Sequence, residues 1–162
     1  MIIIKNRDGS EILTYHPKSG DEFDPVDLSG ANLTNADLEG KEFSESNFEN
    51  ANLLNADLYW AILFRANLRN ANLSGALLCG ADMKEANLQG ANLNEANLGP
   101  SNLGGATQLQ GADLRNAELR GTILDGAEYD EFTKFPSEFD PKSKGMTFVG
   151  RGKSGNSQRH LD

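Results

Sequence analysis

The sequence predicts an all-β solenoid: short extended sides joined by corners and wound into stacked coils. The first observation is a repeat of five. From Val26 the chain reads VDLSG, ANLTN, ADLEG, KEFSE and so on, sixteen units without a break to Gly105. Ala106 interrupts the register, and five more units, TQLQG to AEYDE, fill 107–131. The second observation is that this period suits neither a straight helix nor a straight strand. Apolar residues at every fifth position wander round a 3.6-residue helix, and in a strand they alternate faces. The third is the make-up of the unit. If each unit is one short side and one corner, the central Leu points inward every time. The leading residue, usually Ala, points inward beside the corner, where only a small side chain fits. Gly, Asn and Ser at the unit ends suit sharp turns, and the remaining positions face water.

A unit of a small residue, Asp or Asn, Leu or Phe, a variable residue and often Gly resembles the pentapeptide-repeat family, over about two thirds of the chain. The resemblance implies a right-handed quadrilateral β-helix with four units in each coil. Residues four units apart then stack. One inward column is Leu33, Leu53, Leu73 and Leu93, and another Leu38, Leu58, Leu78 and Leu98. A third is Phe43, Leu63, Met83 and Leu103; the fourth is Leu28, Phe48, Leu68 and Leu88, continued by Leu109 and Tyr129. Asn32, Asn52, Asn72 and Asn92 form an outward column whose amides are placed to bond along the array. With about 4.8 Å per coil, five coils make a rod about 25 Å long. Lys41 departs from the pattern by standing at an inward small position, which requires an open coil there or a carboxylate such as Asp37, Glu42 or Glu45.

Stacked coils leave unpaired edges at both ends, which need caps. Residues 1–25 are expected to supply one, a β-hairpin in which Ile2–Lys5 and Glu11–Tyr15 flank a turn at Asp8-Gly9. Residues 132–149 are expected to supply the other, with Phe132, Phe135, Phe139 and Phe148 over the last coil. This ending is similar to one common in cyanobacterial members of the family. Residues 150–162, rich in Gly and Ser, are expected to be a flexible tail.

No catalytic, cofactor or metal site emerges, and a non-enzymatic protein is expected. GRGKSG at 150–155 lacks the spacing of a phosphate loop, and the two histidines, His16 and His160, lie near opposite ends. The single cysteine, Cys79, excludes an internal disulfide and is expected to point outward. A net charge of −9, from 24 acidic and 15 basic residues, argues against direct binding of nucleic acid. No segment reads as membrane-spanning or as a signal peptide, so a soluble cytoplasmic protein is expected.

Two surface features carry the functional expectations. Asp37, Glu39, Glu42, Glu45 and Glu49 crowd the first coil as an acidic face. The resemblance implies one use for it, since some pentapeptide-repeat proteins are DNA-like rods that act on DNA gyrase and related topoisomerases. The other feature is NADLYWAILFR, 55–65, where apolar residues fill outward positions. The stacking rule gathers Tyr59, Trp60, Ile62, Phe64, Leu77 and Cys79 on one corner, with Gly40 and Gly80 leaving room for the indole; Leu54 and Ile123 stand apart. Trp and Tyr are favoured interface anchors. The leading expectation is therefore a scaffold that binds a protein partner, or a second copy of itself, through this corner. The alternatives are the acidic DNA mimic and a purely structural rod, in which a terminus covers the corner.

Overall fold

A computed structural model describes residues 2–15 and 25–150. The tail from Arg151 onwards, His16, His160 and part of the N-terminal segment lie outside the described residues. Strand β1 (Ile2–Asn6) pairs antiparallel with β2 (Glu11–Tyr15), and also with the short β3 (Ala36–Asp37) in the first coil. The hairpin thus lies on the edge of that coil. Ile4 is buried in the core, and Arg7 reaches Asp57 at 3.4 Å.

From Asp27 onwards the repeats pair in parallel with residues one coil away. The columns Asp27–Asn47–Asn67–Asn87, Asn32–Asn52–Asn72–Asn92, Asp37–Asp57–Leu77–Asn97 and Glu42–Ile62–Asp82 each step by four units. Inward Leu and Ala are sealed: Leu33, Leu53, Leu58, Leu63, Leu68 and Leu73 are fully buried, as are Ala56, Ala61, Ala66 and Ala71. Burial of each such Leu contributes about 1.5–3 kcal/mol.

The unit's composition follows from where its five backbone N–H groups go. The second residue donates to the first residue of the coil before (Asn52 to the Ala31 carbonyl, 2.9 Å), and the third to the second residue of the coil after (Leu53 to Asn72, 2.7 Å). The fifth donates to the fourth of the coil after (Asn55 to Ser74, 2.9 Å), and the next unit's first residue closes the turn (Ala56 to Leu53, 3.0 Å). Only the fourth is left without a backbone acceptor. The Asn or Asp at the second position supplies one: Asn52 Oδ1 accepts from Leu54 N–H, Asp57 from Tyr59, Asn72 from Ser74 and Asn92 from Asn94. That local bond is the reason for Asx at this position. The amides also bond along their column, Asn72 Nδ2 to Asn52 Oδ1 at 3.0 Å and Asn67 Nδ2 to Asn47 Oδ1 at 3.0 Å.

The fifth residue lies in the left-handed region, with φ of 58° at Asn35, 62° at Gly40 and 55° at Asn55. Gly reaches this conformation without strain and Asn with little, which explains the unit endings.

After Asn97 the register changes. Asp82, Asn87, Asn92 and Asn97 pair with Gln108, Asp113, Glu118 and Ile123, each one unit and one residue beyond the regular partner. The regular step returns from Gln108 to Glu128. Residues 101–106 are therefore looped out of the coil. This corrects the expected columns. Leu103 is not inward but 81% exposed, and Leu109 takes its place above Met83. The third column is Phe43, Leu63, Met83, Leu109 and Tyr129, and the fourth continues from Leu88 to Leu114. The reason lies at Pro100. It occupies a fifth position, where a positive φ is required, but its ring holds φ at about −65°. No regular turn forms there, and the chain makes an excursion before re-entering at Thr107.

Lys41 is half-buried, the open-coil alternative, although Ala36, Leu38 and Phe43 around it are sealed. One further expectation is corrected. Phe132 is 53% exposed and does not cover the last coil. The last coil is met instead by β5 (Thr147–Phe148), which pairs parallel with β4 (Glu128–Tyr129), and by buried Met146. Phe135 stacks on Phe139 at 5.1 Å and meets Tyr129 edge-on at 5.5 Å.

Candidate interaction surface

Tyr59 and Trp60 are the fourth and fifth residues of their unit. Trp60 therefore carries the left-handed backbone, φ 57°, at a place that favours Gly or Asn. Gly80, one coil on, gives the indole its space: a Cβ there would lie 3.1 Å from two indole carbons. Gly40 stacks below with its N–H donating to the Tyr59 carbonyl, but a Cβ there would meet nothing within 4 Å, so Gly40 is not what makes room for the indole.

Among the described residues, the excursion at 99–106 lies against the outer end of the ring. A Cβ on Gly105 would fall 2.1 Å from Trp60 Cη2, so the strap lies directly against the indole and only glycine fits. Tyr59 pins the same strap: its hydroxyl accepts from Asn102 N–H at 2.9 Å and donates to Asn102 Oδ1. The strap closes on itself through Ser101, whose N–H donates to the Gly105 carbonyl and whose Oγ accepts from Gly105 N–H, both at 2.8 Å. It also removes the acceptor that Gly80 N–H would find in a regular coil. Thr107 replaces it, with Oγ1 accepting from Gly80 N–H at 3.1 Å and donating to the Leu78 carbonyl at 2.8 Å.

Cys79 is corrected from outward and half-covered to buried, 6% exposed, with Sγ 3.7 Å from the Asn97 carbonyl. Gly80 and Gly99 are buried too, whereas fourth and fifth positions elsewhere in the described repeats are mostly half-buried or exposed. Burial pushes the Cys79 thiol above its ordinary pKa.

The remaining apolar residues divide. Trp60 and Ile62 are 39% and 38% exposed, and Leu77 is half-buried. Ile62 stands between Glu42 and Asp82 in its column. Phe64 is half-buried under the Arg65 guanidinium, 4.8 Å from the ring centre. It lines an open groove of about 590 Å³ together with Lys84, Gln110, Gly111 and Phe132. Leu103, which sequence reasoning placed in the core, adds a large exposed apolar side chain on the strap. Pro100 at a turn position was the signal that could have found it.

The five acidic residues fall at different points round the coil. Asp37 and Glu39 belong to one unit, Glu42 and Glu45 to the next, and Glu49 to the one after. Arg65 stands 3.9 Å from Glu45 and 2.7 Å from Glu85, and Arg69 is 3.7 Å from Glu49. Basic residues of the neighbouring coil thus partly neutralise the acidic set. Among the described residues no group of three or more His, Cys, Asp or Glu is arranged to hold a metal ion, and no helix is long and apolar enough to cross a membrane.

Parallel coils of five-residue units, each closed by an Asx bond and a left-handed turn, define a β-solenoid repeat protein. The chain belongs to the pentapeptide-repeat family, whose members fold as right-handed β-helices. The family's Pentapeptide repeats profile matches residues 27–63, 61–99 and 101–128, with eight copies. The crystal structure of a pentapeptide repeat protein from Nostoc Pcc 7120 is similar: 33% identical, TM-score 0.57, over 77% of this chain and 86% of that one. Another is that of Rfr23 from the cyanobacterium Cyanothece 51142: 36% identical, TM-score 0.50, over 67% of this chain and 63% of that one. No curated protein matches the chain.

Proposed function

We propose that this protein is a non-enzymatic scaffold, a four-sided β-helix capped by residues 1–25 and 132–149. It binds a protein partner, or a second copy of itself, through the surface of Tyr59, Trp60, Ile62, Phe64 and Leu77. The observation that carries this reading is Trp60. The chain's only tryptophan occupies a left-handed turn position that Gly or Asn would fill with less strain, and it still presents 39% of its surface to solvent. Glu45, Arg65, Glu85 and Glu95 share that backbone at fifth positions, so it is the large apolar side chain left at the surface that points to its use. Exposed Leu103 and Ile62 extend the apolar character around it. The DNA-mimic reading is the weaker one, since Arg65 and Arg69 offset the acids of the first coil and no single face collects them.

The test is affinity capture from an extract of the source organism, with the wild-type protein and the Trp60→Ser, Phe64→Ser double variant as parallel baits. A partner held by the first and lost by the second, with both baits folded, supports the surface. A topoisomerase held equally by both would replace this reading with the DNA mimic. If only the protein itself is recovered, self-association is measured by sedimentation in the same pair.

A further inference from the structure

We propose that residues 99–106 are a strap that opens and closes over the Tyr59–Trp60 turn, so that the apolar surface is exposed fully only when the strap lifts. Its use in regulating binding rests on the function proposed above; the opening itself does not. The excursion is forced by Pro100 and carries Gly99, Gly104 and Gly105, with Gly104 in the left-handed region at φ 81°. Its first residues are packed in the coil, with Gly99 buried beside Ile123, Pro100 near Gly126 and Ser101 buried, while its outer part is fastened by Asn102 on the Tyr59 hydroxyl and Gly105 on the Trp60 ring before the re-entry at Thr107. Apart from Gly99 N–H, which donates to Asn97 Oδ1, its remaining backbone bonds run within the strap, through Ser101. Leu103 at its outer side has no place in the core and is 81% exposed. Inter-coil pairing on either side of the excursion continues without it, from Leu77–Asn97 before and Asp82–Gln108 after, so the strap can lift while the coils stay paired.

The structure also supplies a reporter. In the column of fourth positions, Cys79 lies between Tyr59 and Gly99: below it is the residue that pins the strap, and above it the residue from which the strap departs. Opening exposes this single, otherwise buried thiol together with the indole face.

The experiment follows Cys79 with a small thiol reagent in the full chain under native conditions, in wild type and in Tyr59→Phe. The hydroxyl removed makes both bonds to Asn102 while the ring stays, so the coil loses no core packing. The expected result is labelling about tenfold faster in Tyr59→Phe, with unchanged far-ultraviolet dichroism and a rate that does not follow the global unfolding transition. Gly105→Ala, whose methyl group collides with the indole, gives the same acceleration by a different route. Equal rates in wild type and both variants, or rates that track global unfolding in all three, overturn the proposal. Neither outcome depends on any partner, so a failed capture experiment and a fixed strap remain distinguishable.

Discussion

At the scale of single residues, the two irregularities of this chain explain one another. The aromatic pair at 59–60 and the break in the repeat after residue 98 are distant in sequence, yet the break supplies the segment that lies on the pair. Pro100 causes the break, because it cannot take the backbone conformation that its place in the unit demands. The consequence for the core can be measured. Leu109→Ala removes a fully buried side chain from the Met83 column and should cost about 2–5 kcal/mol. Leu103→Ala, at a site 81% exposed, should change stability by less than about 0.5 kcal/mol. Urea melts of the two variants check this, and a core role for Leu103 would show as the reverse order.

At the scale of the repeat unit, much was legible in the sequence and some was not. The inward Leu and Ala, the stacking of every fourth unit and the N-terminal hairpin around Asp8-Gly9 follow from a period that only a bent chain satisfies and from a local turn signal. The register after residue 98 was not legible from the same rule, because SNLGG imitates a regular unit in every position. Only the residue before it, Pro100, betrays that the turn cannot close. The site was read in part: the outward apolar residues were legible, but what covers them depends on a loop whose path no periodicity specifies. Phe132 shows the same limit at the C-terminal end. Electrostatics act within a unit and between coils. Arg115 donates to both oxygens of Asp113, at 2.9 and 2.7 Å, and Lys134 stands 3.7 Å away. Hydrogen bonding from Arg115 leads in holding the Asp113 carboxyl down to about 2, against an ordinary 3.8. A folded-state pKa below the unfolded one means that ionised Asp113 stabilises the fold. That contribution is fully present above about pH 4 and is lost as pH falls from there toward 2. The pair is largely solvent-exposed on the arginine side, so the effect should be under about 1 kcal/mol. Thermal melts of wild type and Asp113→Asn between pH 5 and 2 should converge at the acid end, the wild type losing its advantage below pH 4.

At the scale of the whole molecule, the coils form a self-consistent ladder in which each unit satisfies its own backbone and its neighbours'. Such an architecture tolerates removal of a segment that lies outside the ladder. Deleting 101–106 and replacing Pro100 with Gly leaves ANLGG followed directly by TQLQG. Met83 and Leu109 are then four units apart, and the chain has a continuous repeat. The shortened protein should keep its β-rich dichroism and unfold cooperatively. Its Trp60, the only tryptophan, would lose the cover of Gly105. The most direct test of this arrangement is therefore the fluorescence of that tryptophan in the intact and shortened chains, with acrylamide as quencher. A strap that lies on the indole predicts a red-shifted emission and a clearly higher quenching constant in the shortened chain, with the fold retained. Identical emission and quenching in two equally folded proteins would contradict it, because the strap would then not lie on the indole.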